Sequence, residues 1–425
     1  MPRDHIPANT YAQSLAAVLA ACRPLAPERV GFREAIGRVL TEPLLAVADD
    51  PPAPKSAMDG FALRAVDTRG ASAGGPLRFH YEGVVGAGHV AARPLAPGAA
   101  MRIMTGALLP READAVVKLE DTLCDEAKAI AERGEFAITA PLTPGENVYA
   151  SGSRFARGDL LVPAGVPLAP QALGLIAGQG LTEVTVVRRP HVALLALGDE
   201  LVEPERPLQA GQIHVSNLYA LEAETQAQGA TARNLGIAPD DPRAVAAKLE
   251  PWLTGGDAGD FVMTLGGSHG GDFDFAGEIF QRLGAQLRFQ RTLINWGGST
   301  IFATHAHDGS ATLCFGLPGT PLPSWLAFEL LVRPAIWKAA GRRETGRPVL
   351  RARMAEPIQR RPGRTHFVPA GIEFGASGLP LAIPLDETPT ANRPTATRAA
   401  GLILYPEGAK GLSAGDEVSV AWLSA

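Results

Sequence analysis

FVMTLGGSHGGDFD, residues 261–274, is the stretch from which the fold is most directly predicted. Its first five residues are apolar or β-branched, as in a buried strand. Glycines follow at once, then Asp272 and Asp274, and then a helix-like segment at 275–283. A strand, a glycine loop and a helix N-terminus in this order present backbone N–H groups to an anion. A plain glycine-rich connection in an α/β domain has the same pattern, so the surrounding sequence decides between the two.

The bulk composition is that of an ordinary globular protein with several domains. A chain of 425 residues is too long for one core, and roughly two to four domains are expected. The net charge is −5, and the scattered basic residues give no reason to expect nucleic acid. No apolar stretch approaches the length of about 18 residues that a membrane span needs, and the N-terminus lacks a signal-peptide core. We therefore expect a cytoplasmic protein with no membrane span, whose three widely spaced cysteines are reduced thiols.

The second half of the chain has the pattern of an α/β domain. Strand-like segments at 191–197, 261–265, 287–294 and 311–315 alternate with helix-like segments at 217–228, 242–253, 275–283 and 325–340. This alternation predicts a mainly parallel sheet covered by helices. Polar glycine turns follow three of the strands, at 197–200, 265–274 and 316–321. Because ligands of such sheets bind outside the carboxyl ends of the strands, we expect these three turns to meet at one crevice.

The flanking segments have a different pattern. Residues 10–22 form an amphipathic helical pattern with Thr10 as a plausible N-cap. Short alternating runs over 76–140 predict a small all-β module, and similar runs in the C-terminal segment predict a small β-barrel. The segment 342–364 is rich in arginine. Such a cluster is more often a solvated face than an anion site.

Seven segments resemble the molybdopterin molybdenumtransferase family, the molybdenum insertases that also form the C-terminal portion of gephyrin-type scaffolds. The segments are SAMDGFALR (56–64), AMRIMTGALLPREADAVVKLED (100–121), LALGDELVEP (195–204), GQIHVSN (211–217), the GG…GDFD loop (266–274), GLPGTP (316–321) and GLILYPEG (401–408). MDG with an aromatic residue and alanine, followed by RIMTGA and ADAVV in that order, is a specific signature. The resemblance covers nearly the whole chain.

The resemblance implies an α/β multidomain subunit in an elongated homodimer. Its parts are a discontinuous N-terminal domain, an inserted β-rich module, an α/β molybdopterin-binding domain with a parallel-type sheet, and a C-terminal β-barrel domain. In this chain they would correspond to residues 1–50 with 141–187, 51–140, 188–341 and 342–425. The family's active site lies between the α/β domain of one subunit and the β module of the other. Other molybdenum-cofactor biosynthesis proteins would be the partners.

The activity implied is insertion of molybdenum from molybdate into adenylylated molybdopterin, with release of AMP and participation of Mg²⁺. The residues that match the family's catalytic positions are Asp59, Thr105, Glu200 and Asp274. The residues that match its cofactor-binding positions are Gly266, Gly267, Ser268, Gly271, Asp272, Pro318, Gly319 and Pro321. Glu200, Asp272 and Asp274 would supply oxygen ligands to the metal.

Several positions depart from the family's pattern. Ser268, His269 and Gly270 replace V-S-V in the loop, an acidic turn carries Arg154, the aspartate of a D-S-N turn is Val215, the lysine of a PGKP turn is Gly298, and the asparagine of a PGNP turn is Thr320. Two lost carboxylates and one gained arginine change the local formal charge by about three units, and lysine is suited to oxyanions. The chain is therefore a divergent insertase or, alternatively, a non-catalytic paralogue that binds molybdopterin or a partner protein as a carrier or scaffold.

Overall fold

The computed structural model describes residues 8–124, 133–254, 259–267, 276–307, 309–376, 378–385, 392–405 and 408–423. The chain forms two compact units. Unit 1 comprises Met1–Glu42, Ala164–Leu173 and Thr182–Ala425, and unit 2 comprises Pro43–Pro163 and Gly174–Leu181. Within the described ranges, no helix combines the length and the apolar character needed to cross a membrane. The finer division into four domains stays a prediction.

The regular elements follow the chain in three groups. The first contains α1 (Tyr11–Ala21), β1 (Pro27–Gly31), β2 (Leu44–Leu45), β3 (Lys55–Ser56), β4 (Gly60–Leu63), β5 (Leu77–Val85), β6 (Ala99–Ile103), β7 (Ala115–Lys118), β8 (Arg133–Ile138), β9 (Val148–Tyr149), β10 (Leu160–Val162), α2 (Pro170–Gly178) and β11 (Glu183–Val187). The second contains β12 (His191–Leu197), β13 (Leu201–Val202), β14 (Ile213–His214), α3 (Asn217–Ala227), β15 (Thr231–Ala238), α4 (Pro242–Thr254), β16 (Phe261–Leu265), α5 (Ala276–Arg282), β17 (Gln286–Phe289), β18 (Ile301–His307), β19 (Ser310–Leu317), α6 (Pro321–Ala327), a π-helical turn (Phe328–Val332) and α7 (Arg333–Ala339). The third contains β20 (Val349–Met354), β21 (His366–Glu373), β22 (Leu381–Pro384), α8 (Asn392–Arg398), β23 (Gly401–Tyr405) and β24 (Glu417–Trp422).

Unit 2 is built on a five-stranded sheet with the strand order β7-β4-β6-β5-β8. Its core is aromatic: the rings of Phe61 and Phe136 stack with centroids 4.0 Å apart, and Tyr81 packs against both. Stacked rings contribute beyond the area they bury. The predicted β-rich module is therefore present, and β4 is an interior strand between β7 and β6.

Unit 1 contains a six-stranded sheet with the strand order β15-β12-β16-β19-β18-β17. The first four strands are parallel, while β18 and β17 pair antiparallel at one edge. Every residue of β16 is buried because helices cover both faces of the sheet. The mainly parallel sheet is confirmed. The predicted strand over 287–294 is too long, since β17 ends at Phe289 and the chain then leaves the sheet.

The helix predicted over 325–340 begins earlier and is interrupted. It starts with Pro321 at its first turn, where a missing N–H costs nothing. A π-helical turn, Phe328–Val332, lies before Pro334, which lacks the N–H that an α-helix would use. Within this turn the buried Glu329 carboxylate accepts hydrogen bonds from Arg333 and Arg347. The bonds from Arg347 attach the linker after α7 to the π-helical turn.

The remaining predictions about local structure agree with the structure. Thr10 caps α1 through a capping box with Gln13, as expected for this residue pair. Strands β20, β22, β21, β23 and β24 close into a five-stranded barrel in that order. None of the three cysteines, Cys22, Cys124 and Cys314, forms a disulfide.

Truncating a core ring of the central sheet tests this architecture. Phe315 on β19 is fully buried, and its ring packs 4.9 Å from that of Phe302. Replacing Phe315 with alanine should lower the free energy of unfolding by about 3–5 kcal/mol, because the cavity does not collapse completely. Phe374→Ala, at a site that is 69% exposed, is the matched control. Urea unfolding followed by circular dichroism measures both, and equal shifts for the two variants would contradict the assignment of the core.

Candidate functional site

The carboxyl ends of the central parallel strands in unit 1 open onto a cavity of about 450 Å³, here called the strand-end cavity. All three glycine turns that follow β12, β16 and β19 line it. The lining residues from these turns are Gly198, Glu200, Gly266, Gly267, Gly319, Thr320 and Pro321. The predicted meeting of three turns at one crevice is therefore confirmed for their described residues.

Gly266 shows why the second turn begins with glycine. Its φ is +105°, and a Cβ at this position would lie 2.7 Å from the carbonyl oxygen of Leu197. Only glycine adopts this backbone conformation without strain. The close approach brings the β16 turn against the end of β12, so the floor of the strand-end cavity is backbone.

Two groups that were not among the predicted site residues complete this cavity. The Asn217 side chain donates a hydrogen bond to the carbonyl of Gly319, which joins the first turn of α3 to the β19 turn. Asp240 also lines the cavity, and its backbone N–H donates to Asp199 Oδ1 of the β12 turn at 3.1 Å. Asn217 ends the quoted GQIHVSN segment, whereas Asp240 follows β15, a strand that the sequence pattern did not indicate. Among the described residues, the cavity therefore presents two carboxylates, Glu200 and Asp240.

For five of the predicted site residues, a place at this cavity is not shown. Ser268, Gly271, Asp272 and Asp274 lie outside the described residues, as do His269 and Gly270. Pro318 belongs to the β19 turn but does not line the cavity.

Asp59 and Thr105 of unit 2 form a hydrogen-bonded pair. The backbone N–H and the hydroxyl of Thr105 both donate to Asp59 Oδ1, at 2.6 and 2.8 Å. These bonds, first from the N–H and then from the hydroxyl, lower the pKa of Asp59 below its ordinary value. The glycine that follows Asp59 is required, because a Cβ at Gly60 would lie 1.9 Å from the carbonyl oxygen of Val117. The MDG signature thus places an ionised carboxylate on the surface of the β module.

Arg102 is a buried cation near this pair that sequence reasoning missed. Its side chain is 8% exposed, and its guanidinium lies 5.8 Å from the Phe61 ring centroid. Its Nε and Nη1 atoms are buried without a hydrogen-bond partner among the described residues. The positive charge contributes to lowering the pKa of Asp59. The only sequence signal was its position three residues before Thr105 in the RIMTGA segment.

The substituted positions have local structural explanations. Val215 is 3% exposed and joins the hydrophobic core beside the strand-end cavity. A Cβ at Gly298 would lie 3.0 and 3.1 Å from the carbonyl oxygens of Thr292 and Ile294, so a lysine there would require the backbone to move. Arg154 of unit 2 pairs with Asp50 at 3.4 Å. Val215 and Gly298 therefore fit the packing around them, and Arg154 has an ion-pair partner.

A second cavity of unit 1, of about 960 Å³, lies beside the Trp296 turn and is here called the basic cavity. Its arginines are Arg360, Arg361 and Arg364. His366 also lines it; its Nε2 donates to the Arg361 carbonyl at 2.8 Å, and its Nδ1 has no hydrogen-bond partner in the described ranges. Part of the arginine-rich segment therefore lines a concave site, in which Arg361 and Arg364 remain exposed to solvent as predicted.

Replacing Thr105 with valine should raise the pKa of Asp59 toward its ordinary value, since the hydroxyl bond is lost while the backbone bond remains. A lowered pKa stabilises the fold above the unfolded-state pKa, and this contribution is lost as pH falls through the folded-state pKa. The contribution should therefore be smaller in the variant, and its loss should be complete at a higher pH. Carboxyl ¹³C NMR titration measures the pKa, and Thr105→Ser, which keeps the hydroxyl, should leave it unchanged. An unchanged pKa in Thr105→Val would show that the hydroxyl bond is absent in solution.

Comparison with known proteins gives consistent matches along the chain. The MoeA N-terminal region (domains I and II) matches residues 9–180, the probable molybdopterin binding domain residues 193–338, and the MoeA C-terminal region (domain IV) residues 351–423. A molybdopterin molybdenumtransferase of Bacillus subtilis is 34% identical over 399 residues, which cover 92% of this chain and 89% of the relative. One of Staphylococcus aureus is 30% identical over 391 residues, which cover 92% and 90%.

Solved structures agree with these matches. A crystal structure of the molybdopterin biosynthesis MoeA protein from Pyrococcus horikoshii superimposes with a TM-score of 0.82 at 30% identity, covering 98% of this chain and 99% of that one. The fold, the order of the matched regions and the level of identity all agree, and the chain therefore belongs to the MoeA family of molybdopterin molybdenumtransferases.

Proposed function

We propose that this protein inserts molybdenum from molybdate into adenylylated molybdopterin, releasing AMP, as a step in molybdenum-cofactor biosynthesis. The observation that carries the proposal is the convergence of three glycine turns, Asn217 and two carboxylates on the strand-end cavity. Membership of a molybdopterin molybdenumtransferase family supports the same reading. A cytoplasmic location and a homodimer are part of the proposal.

The strand-end cavity suits a phosphate-bearing pterin nucleotide. Backbone N–H groups of glycine turns and a helix N-terminus bind phosphate oxygens. An adjoining cavity of about 290 Å³ is mostly apolar and is lined by Trp325, Leu221 and Ala220. Ser324 also lines it, and the Ser324 hydroxyl is buried without a hydrogen-bond partner in the described part of the chain. A flat ring would lie against Trp325 and offer this hydroxyl an acceptor.

The proposed Mg²⁺ fits the donor chemistry of the strand-end cavity. Mg²⁺ takes oxygen ligands, commonly one or two carboxylates together with substrate phosphates. Glu200 and Asp240 are the carboxylates that line the cavity among the described residues. When bound, the metal would neutralise phosphate charge and polarise the phosphoryl oxygens.

The basic cavity suits molybdate, the oxyanion substrate of the proposed reaction. Arg361 and Arg364 are guanidinium groups, which present paired N–H donors to oxyanions. The lysine that the family brings on a nearby turn is Gly298 here, and the Trp296 turn lines this cavity. Arginines of the barrel would then supply the cationic charge.

A non-catalytic paralogue remains the alternative, and the buried Val215 is the observation in its favour, because no carboxylate is present where the family carries one. Such a protein would retain molybdopterin or a partner without turnover. The two readings differ in molybdate-dependent release of AMP.

Glu200→Gln tests whether the strand-end cavity takes part in molybdenum insertion, because the substitution removes a charge at nearly constant volume. We expect molybdate-dependent AMP release from adenylylated molybdopterin to fall by about tenfold or more, the equivalent of one lost charge-assisted bond. The purified full chain is assayed for AMP, and a strain lacking its molybdenum insertase is tested for rescue. Glu205→Gln, on the loop after Glu200 but outside the cavity lining, is the control. Tight pterin binding with no AMP release by the unmutated protein would favour the carrier reading.

Arg364→Gln should weaken molybdate binding by about tenfold or more through the loss of a charge-assisted hydrogen bond. Titration calorimetry with molybdate measures this affinity at two salt concentrations. Arg353→Gln on the barrel, an arginine bonded to the Gly415 carbonyl and outside the cavity lining, is the control. Equal molybdate affinity in all three proteins would exclude the basic cavity as the molybdate site.

A further inference from the structure

A third cavity of unit 1, of about 800 Å³, is walled by Trp325, Trp337 and Trp422 and lined by arginines. It is here called the Trp337 cavity. Three guanidinium groups lie around the Trp337 indole: Arg333 at 4.1 Å, Arg342 at 4.3 Å and Arg347 at 5.2 Å from its centroid. One aromatic ring attracts cations, but three like charges around it repel one another.

Three glutamates also line this cavity, Glu224, Glu329 and Glu344, but they are distributed unevenly among the guanidinium groups. Glu329 bonds to Arg333 and Arg347 and thus engages two of the three guanidinium groups. Arg342 forms no ion pair with any acidic side chain that the structure describes, and it is half-buried. Burial first, and then Arg333 and Arg347, lower the pKa of Arg342 to about 10. Burial and the neighbouring arginines therefore disfavour the charged form of Arg342. Arg343 adds a further positive charge to the lining of the cavity.

The Trp337 cavity shares no lining residue with the strand-end cavity, although Trp325 and Glu224 also line the adjoining apolar cavity. Asn217, at the start of α3, lines the strand-end cavity, whereas Gln228, just after the end of α3, lines the Trp337 cavity. At 1.5 Å per residue these positions are roughly 16 Å apart along the helix axis. Gln228 also accepts the Trp337 indole N–H at 3.1 Å, which fixes the ring under the arginines.

We propose that the Trp337 cavity is a binding site for an oxyanion carried by a small molecule, with Arg342 and Arg343 as its donors and the indole rings as its apolar walls. Guanidinium groups bind the oxygens of phosphate and carboxylate in pairs, and both groups share this chemistry. An anion here would pair with Arg342, which forms no ion pair with the glutamates of the described lining. The inference goes beyond molybdenum transfer and does not depend on it.

¹⁹F NMR of the full chain labelled with 5-fluorotryptophan provides a local readout. The chain has five tryptophans, and Trp337→Phe assigns the Trp337 resonance. We expect this resonance to shift saturably with inorganic phosphate or with citrate, and the two titrations distinguish a phosphate-bearing from a carboxylate-bearing ligand. Sodium chloride at matched ionic strength should not shift it.

Arg342→Gln should weaken that binding by about tenfold or more, since a charge-assisted bond is lost, while Arg364→Gln in the basic cavity should leave it unchanged. The Gln variant removes a repelling charge, so its melting temperature should not fall. Arg342→Lys keeps the charge without the paired donors and should bind with intermediate affinity. Absence of a shift with both anions, an equal shift with chloride, or equal affinity in the Gln and Lys variants and the unmutated protein would overturn the proposal.

Discussion

The parallel register of β12, β16 and β19 is the constraint on which the site depends. Ala196 pairs with Leu265, and Leu265 pairs with Leu317, so the three strands end together. A slip of one residue would turn every side chain of β16 to the opposite face. Since both faces of this strand are buried against helices, packing holds the register. The position of the glycine turns is thus a consequence of the core.

Charge is segregated within unit 1 around this core. The described lining of the strand-end cavity has carboxylates but no arginine or lysine, whereas arginines line the basic cavity and the Trp337 cavity together with glutamates. A net charge of −5 conceals this separation. Carboxylates suit a cation and guanidinium groups suit an oxyanion, so one unit offers groups for both kinds of ion.

The sequence predicts an element correctly where the pattern of apolar and polar residues matches the burial of that element in the fold. The fully buried β16 and its glycine turn could be predicted because a strand buried on both faces has apolar or β-branched residues at nearly every position. Strand β15, in contrast, is largely half-buried, and its sequence TARNLGIA mixes polar and apolar residues. Missing that strand meant missing Asp240, which follows it into the strand-end cavity.

Other site features depend on contacts between distant segments and leave no local pattern. Arg102 is buried by Phe61 of a neighbouring strand, although arginine in an alternating strand suggests an exposed position. The basic cavity forms because the Trp296 turn lies beside the arginine-rich segment of the barrel, a proximity created by the fold. Composition alone could not distinguish this concave site from a solvated face.

The substitutions at Val215 and Gly298 gain a common physical interpretation from these contacts. Val215 contributes apolar area to the core that holds the β12–β16 register, and Gly298 permits two backbone carbonyls to approach closely. Each position serves packing in this chain where the family pattern has a charge. The cationic charge lost at Gly298 has a counterpart in arginines of the neighbouring barrel, whereas the carboxylate lost at Val215 leaves Glu200 and Asp240 as the acidic groups of the described strand-end cavity. Among the described residues, those two side chains are therefore the carboxylates that could bind a cation at this site together with the ligand's own phosphate oxygens.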